Sequence, residues 1–177
     1  MAIAIPEPHG AELQAYRESY GDPLARAIPS HVTLLPPTTV HDDELPAIEE
    51  HLRKVALAEQ PFDLHLRGTG TFRPVSPVVF VQLSRGIAHC ERVEAQVRSG
   101  PLDRQLSFYY HPHVTVAHDL PEPVLDRAYG ELADYEAQFQ VWGFSLYEHG
   151  SDGVWRPQRD FPFGQPLPGP HPDCSCV

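Results

Sequence analysis

Apolar and polar positions along this chain follow two periods, and the switches between them mark the elements. Residues 2–5 are a short apolar run closed by Pro6, a strand signal. Over 10–20, Leu13, Tyr16 and Tyr20 recur at helical spacing until Gly21 breaks the pattern. Asp22-Pro23 has the form of an N-cap with a first-turn proline and predicts a short second turn to Ala27. Residues 30–35 are β-branched and aliphatic, so they predict a strand that stops at Pro36-Pro37. A helix is predicted over 42–59, opened by acidic residues at the positive end of its dipole, with Leu45, Ile48, Leu52 and Val55 on one face. Phe62-Asp63-Leu64-His65-Leu66 alternates as a strand, and Gly68-Thr69-Gly70-Thr71-Phe72-Arg73-Pro74 reads as a loop.

The second half runs in the same order. A valine-rich strand is predicted over 77–83, a helix over 87–99 closed by Gly100, and an irregular stretch over 101–110. A strand follows around His113-Val114-Thr115, then a helix over 123–137 and a strand over 139–147. The turn 150–153 leads to a partner strand at Val154-Trp155. Pro166, Pro168, Pro170 and Pro172, set among glycines, predict a disordered tail over 164–177. Strand, helix, strand, helix, strand therefore occurs twice. That predicts an α+β fold of two duplicated units, forming one bilobal domain over 1–163. Its lobes span about 1–74 and 75–163, with ends free to exchange between them.

Each half carries the same tripeptide. His31-Val32-Thr33 lies in Ser30-His31-Val32-Thr33-Leu34, and His113-Val114-Thr115 lies in Pro112-His113-Val114-Thr115-Val116. Chance alone yields roughly 0.4 His-x-Thr triplets in a chain of this composition, so one would mean little and a matched pair means more. On a strand, residues two apart share a face. Each copy therefore puts an imidazole and a hydroxyl on one side and two apolar residues on the other. If the two units are related by a pseudo-two-fold, the two strands face each other across one cleft.

Composition narrows the chemistry. At 177 residues, 41% hydrophobic and 21% charged, the chain suits one soluble domain with a substantial core. No apolar run reaches the ~20 residues that span a bilayer, and the N-terminus lacks the pattern of a secretory signal, so a cytoplasmic, non-membrane monomer is expected. The net charge of −11 argues against long nucleic acid as a partner. It leaves room for a small nucleotide or a short RNA end. Cys90, Cys174 and Cys176 make no disulfide framework, and Cys174-Ser175-Cys176-Val177 is a poor prenylation box.

Two imidazoles on opposite sides of a phosphate can work in line, one taking a proton from the attacking oxygen and the other protonating the departing one. The threonine hydroxyls can hold the non-bridging oxygens, and the scheme needs no cofactor and no metal. The two motifs and the duplicated order of elements resemble the 2H phosphoesterase superfamily. Within it, the chain is most similar to the 2′-5′ RNA ligase-like and cyclic phosphodiesterase group. The resemblance covers about residues 2–163. It implies a bilobal fold around a central cleft, with His31 and His113 as acid and base and Thr33 and Thr115 on the phosphate. It also implies hydrolysis of a 2′,3′-cyclic nucleotide or related ester, or work on 2′-5′ linkages. The first motif departs from the group in running into Leu35-Pro36-Pro37.

Around the motifs, Phe72, Tyr109 and Tyr110 are candidates to stack a nucleobase, and Arg73 and Arg104 to reach a phosphate. Core packing for the aromatics and surface charge for the arginines are the alternatives. A zinc hydrolase is disfavoured, because neither a His-Glu-x-x-His helix nor a Cys-x-x-Cys pair occurs. A 2′-5′ RNA ligase acting on RNA ends, or a nucleotide-binding module without turnover, would use the same cleft.

Overall fold

A computed structural model describes residues 1–164. The expected tail lies outside the described residues except for Gly164, as do Cys174 and Cys176. Eight strands alternate with four helices: β1 (Ala2–Ala4), α1 (His9–Ser19), β2 (His31–Thr33), α2 (Leu45–Ala58), β3 (Phe62–Thr71), β4 (Val78–Arg85), α3 (Ile87–Val97), β5 (His113–His118), α4 (Glu122–Glu131), β6 (Glu136–Val141), β7 (Gly143–His149) and β8 (Trp155–Pro162). The order βαβαβ thus occurs twice, over β1–β3 and β4–β6, with β7 and β8 added.

All eight strands form one antiparallel sheet in the order β6-β3-β4-β5-β2-β1-β7-β8. The centre of that order is the seam between β5 and β2, with four strands on either side. A pseudo-two-fold through the seam exchanges β5 with β2 and β4 with β1, the equivalent strands of the two units. The third strands differ: β3 of the first unit crosses over to sit beside β4, but β6 of the second pairs with β3 at the edge, and the added β7 takes the matching place beside β1.

The connection from β6 to β7 dictates the shape. Only Trp142 separates them, yet they hold the first and seventh places in the sheet. Six strand spacings in a flat sheet amount to roughly 29 Å, and a one-residue link reaches only about 7 Å. The sheet must curl back on itself. Gly143 permits the sharp passage, since a Cβ there would run into the carbonyl of Phe161 on β8.

The core gathers the inward residues of the central strands, Val32, Val79, Val81, Val114 and Val116, with Leu13, Ile48, Leu52, Cys90, Val93 and Leu125 from the helices. α1 and α4 lie together over β5, while α2 packs against α3 and β8.

Three expectations need correction. The glycine run is not a loop: Gly68-Thr69-Gly70-Thr71 completes β3 and pairs with β4, with register shifts between His65 and Thr69. Glycine lowers strand propensity, which hid the strand, but here it marks an irregularity and a close approach. Asp22-Pro23 does open the expected turn, which reaches Ala27. The Asp22 carboxylate accepts from the Leu24 amide at 2.9 Å, but its other oxygen is taken by the buried Arg17 guanidinium. The helix predicted over 123–137 ends at Glu131, because Glu136 onward joins β3 as β6. The strand predicted over 139–147 is two strands, split at Trp142.

Candidate functional site

The site is built on the seam. Val32 of β2 stands directly opposite Val114 of β5 in an antiparallel pair. One step along each strand, His31 stands across from Thr115 and Thr33 across from His113. Directly opposed residues share a face. Both valines are fully buried in the core, so all four polar side chains emerge on the other face, half-buried. Each imidazole therefore has a hydroxyl of its own motif two residues away and the other motif's hydroxyl across the ladder.

Both rings are anchored alike. His31 Nδ1 lies 2.7 Å from the carbonyl of Pro29, and His113 Nδ1 lies 2.7 Å from the carbonyl of His111. A carbonyl only accepts, so each Nδ1 carries the proton and donates it. In the neutral ring this leaves Nε2 as the base. His31 Nε2 lies 3.1 Å from Thr33 Oγ1 and accepts a hydrogen bond from its hydroxyl. Among the described residues, His113 Nε2 meets no hydrogen-bonding partner.

Aromatic rings close over both imidazoles. Trp155 of β8 lies on His31, with ring centroids 4.8 Å apart. Phe72 meets His113 edge-on at 4.9 Å, and Phe80 lies 5.1 Å from it. Phe80 stands opposite Thr115 and so belongs to the same face of the sheet. Gly70 makes room for it: a Cβ there would come within 2.5 Å of the Phe80 ring. Burial pushes the pKa of His31 down to about 4 and lowers that of His113 as well. Carbonyl hydrogen bonds oppose the shift at both rings, and the nearby Arg17 and Met1 amino group add to it at His31.

The remaining sequence candidates divide. Phe72 is at the site, against His113. Tyr110 reaches it through its hydroxyl, which donates to the Thr33 carbonyl at 2.9 Å and pins the first motif to the segment that leads into the second. Tyr109 stands wholly exposed, beside a groove of about 990 Å³ that Arg104 also lines. Arg73 is held by Glu122 at 2.6 Å and Asp126 at 2.8 Å. Arg104 donates to Thr38 Oγ1 at 2.6 Å. Sequence reasoning missed Phe80 and Trp155. Phe80 shares parity with Thr115 only once the register of β4 on β5 is known, and Trp155 reaches His31 only through the curl of the sheet. Among the described residues, no three His, Cys, Asp or Glu side chains converge as a metal site. No described helix is long and apolar enough to cross a membrane.

A sequence model described as the 2′-5′ RNA ligase superfamily matches residues 5–153, both motifs included. The chain belongs to that superfamily. The matched motifs and doubled units place it among the 2H phosphoesterases. Similar chains include a protein of Halalkalibacterium halodurans named "Putative phosphoesterase", 30% identical over 85% of this chain and 88% of its own. One of the same name from a Geobacillus strain is 28% identical over 85% and 87%. Among solved structures, Escherichia coli LigT complexed with 3′-AMP superposes with a TM-score of 0.63 at 19% identity, covering 93% of this chain and 96% of LigT. LigT complexed with NADP+ gives 0.64 at 20% identity, covering 93% and 96%. A Thermus thermophilus protein gives 0.59 at 24% identity, covering 92% and 96%. At these identities the structures share the fold.

Proposed function

We propose that this protein is a metal-independent phosphoesterase that opens a small cyclic phosphodiester, such as a 2′,3′-cyclic nucleotide, or cleaves a 2′-5′ phosphodiester. One observation carries the reading: the Val32–Val114 register sets two Nδ1-anchored imidazoles and two threonine hydroxyls on one face of the sheet. Both rings turn a basic Nε2 away from their anchors, as a proton donor and acceptor working on one phosphate require. Superfamily membership and the names of the relatives support the same chemistry. The nucleotides complexed with LigT support a small nucleotide as the kind of molecule the cleft accepts.

His31, kept neutral down to about pH 4, suits the role of base. Its Nε2 removes a proton from the attacking water as the new P–O bond forms. His113, protonated when the phosphodiester anion arrives beside it, gives its Nε2 proton to the departing ribose oxygen as the old P–O bond breaks. The product is a phosphomonoester with a free hydroxyl. Thr33 and Thr115 donate to the non-bridging oxygens as charge builds there. Ligation of RNA ends would use the same groups in the same direction, with a 5′-hydroxyl in place of water attacking the cyclic phosphate and the ribose oxygen leaving as before.

The test is turnover of a panel of 2′,3′-cyclic nucleotides, ADP-ribose cyclic phosphate and 2′-5′-linked dinucleotides, with and without exhaustive chelation. His31→Ala and His113→Ala should each lower turnover by at least ~10²-fold, and chelation should leave it unchanged. Thr33→Ala and Thr115→Ala should cost less. Full activity in the double histidine variant would overturn the mechanism. Tight nucleotide binding without product would make the protein a binding module.

A further inference from the structure

The two imidazoles occupy equivalent places on the seam, but their surroundings are not equivalent. On the β4 side of the seam, Phe80 stands across from Thr115 and Gln82 across from His113. On the β1 side, the residues across from Thr33 and His31 are Ala2 and Ala4, which add almost no bulk. The cover of His31 must come from elsewhere in the chain, and it comes from Trp155. The indole lies 4.8 Å from the imidazole, centroid to centroid, and is backed by Tyr147 at 5.8 Å and His149 at 6.3 Å on β7. Its backbone amide donates to the carbonyl of Ala27 at 2.8 Å, which ties the start of β8 to the segment leading into the first motif.

A second feature sets this tryptophan apart. Its indole nitrogen is buried and finds no hydrogen-bond partner among the described residues. Leaving a buried donor unpaired costs stability, so the ring is not placed here for the sake of the fold alone. The pattern is that of a residue kept for what it does to its neighbour.

We propose that Trp155 is a positioning residue for His31: its indole covers the face of the imidazole that Ala4 leaves bare, keeps water from it and holds Nε2 on Thr33. The proposal rests on the reading of His31 as one of the acid–base pair. The charged and titratable groups that bear on His31 are Arg17 of α1, the Met1 amino group beside β1 and His113 of β5, with His149 of β7 behind the indole. None of them is removed when Trp155 is replaced. The effect of the indole can therefore be read separately from theirs.

The experiment is an NMR titration of the imidazoles in the full chain, combined with pH profiles of kcat/KM on a 2′,3′-cyclic nucleotide. In the wild type, His31 should remain neutral to well below pH 6. In Trp155→Ala its midpoint should rise by about one pH unit or more as water reaches the ring, with His113 unmoved. The acid limb of the kcat/KM profile should rise with it. Trp155→Phe, which restores a ring, should return both readouts toward wild type. Should Trp155→Ala fail to fold, Trp155→Gln fills part of the space with a polar side chain that hydrates the site and should move His31 the same way. An unmoved His31 midpoint in a folded variant, or a wild-type His31 that titrates near 6.5, would overturn the proposal. If instead the midpoint moves as expected while His31→Ala retains full turnover, the cover stands and the catalytic reading falls.

Discussion

A histidine whose neutral form is favoured by burial writes a pH dependence into the stability of the fold. The folded value for His31, about 4, lies below the ordinary 6.5. Above pH 6.5 the ring is neutral folded or unfolded, and the contribution to stability is fully present. As pH falls from 6.5 toward 4, the unfolded chain takes up a proton that the folded chain refuses, and stability is lost. The upper bound of the loss is about 3 kcal/mol, and His113, shifted in the same direction, adds to it. Urea midpoints measured at pH 7.5 and 4.5 should therefore fall less in His31→Gln than in the wild type. Carboxylates titrate in both proteins, so equal falls would show that His31 is not held neutral.

At the level of elements, the glycine-bearing end of β3 supports the second motif. Gly70→Ala would force a methyl into the ring of Phe80, and Phe80 lies on His113. Overpacking of this kind costs roughly 1–3 kcal/mol. Thermal unfolding should show that loss together with reduced turnover. Wild-type activity in Gly70→Ala would mean that the Phe80 ring can move without disturbing His113. This strand also shows what the sequence could and could not reveal. The two His-Val-Thr segments and the doubled βαβαβ order were legible, because side-chain period and aliphatic content report local structure directly. Gly68 and Gly70 were not legible as strand residues, because their reason for being there is a neighbour on β4. Glu136 to Val141 was absorbed into a predicted helix and strand because only pairing with β3 reveals β6. Trp155 looked like the end of a hairpin, and nothing local could show that it lies on His31. Arg73 looked available to a phosphate until α4 brought Glu122 and Asp126 to it.

For the molecule as a whole, charge sets the scale of substrate. A chain of net charge −11 repels a long polyanion, more so at low salt, whereas one phosphate between two imidazoles needs few cations. Turnover of a 2′,3′-cyclic mononucleotide should therefore proceed without measurable binding of a long RNA. Tight RNA binding with a steep salt slope, and no turnover of the small ester, would reverse that assignment. The seam between β5 and β2 has a consequence for ancestry as well. A single βαβαβ unit joined to a second copy of itself through its middle strand would already bring two His-x-Thr motifs together. Such a pair, however, is bound to treat both imidazoles identically, because every mutation appears twice. Fusing the copies into one chain releases them from that constraint. Only then can one imidazole be roofed by a tryptophan and the other by phenylalanines.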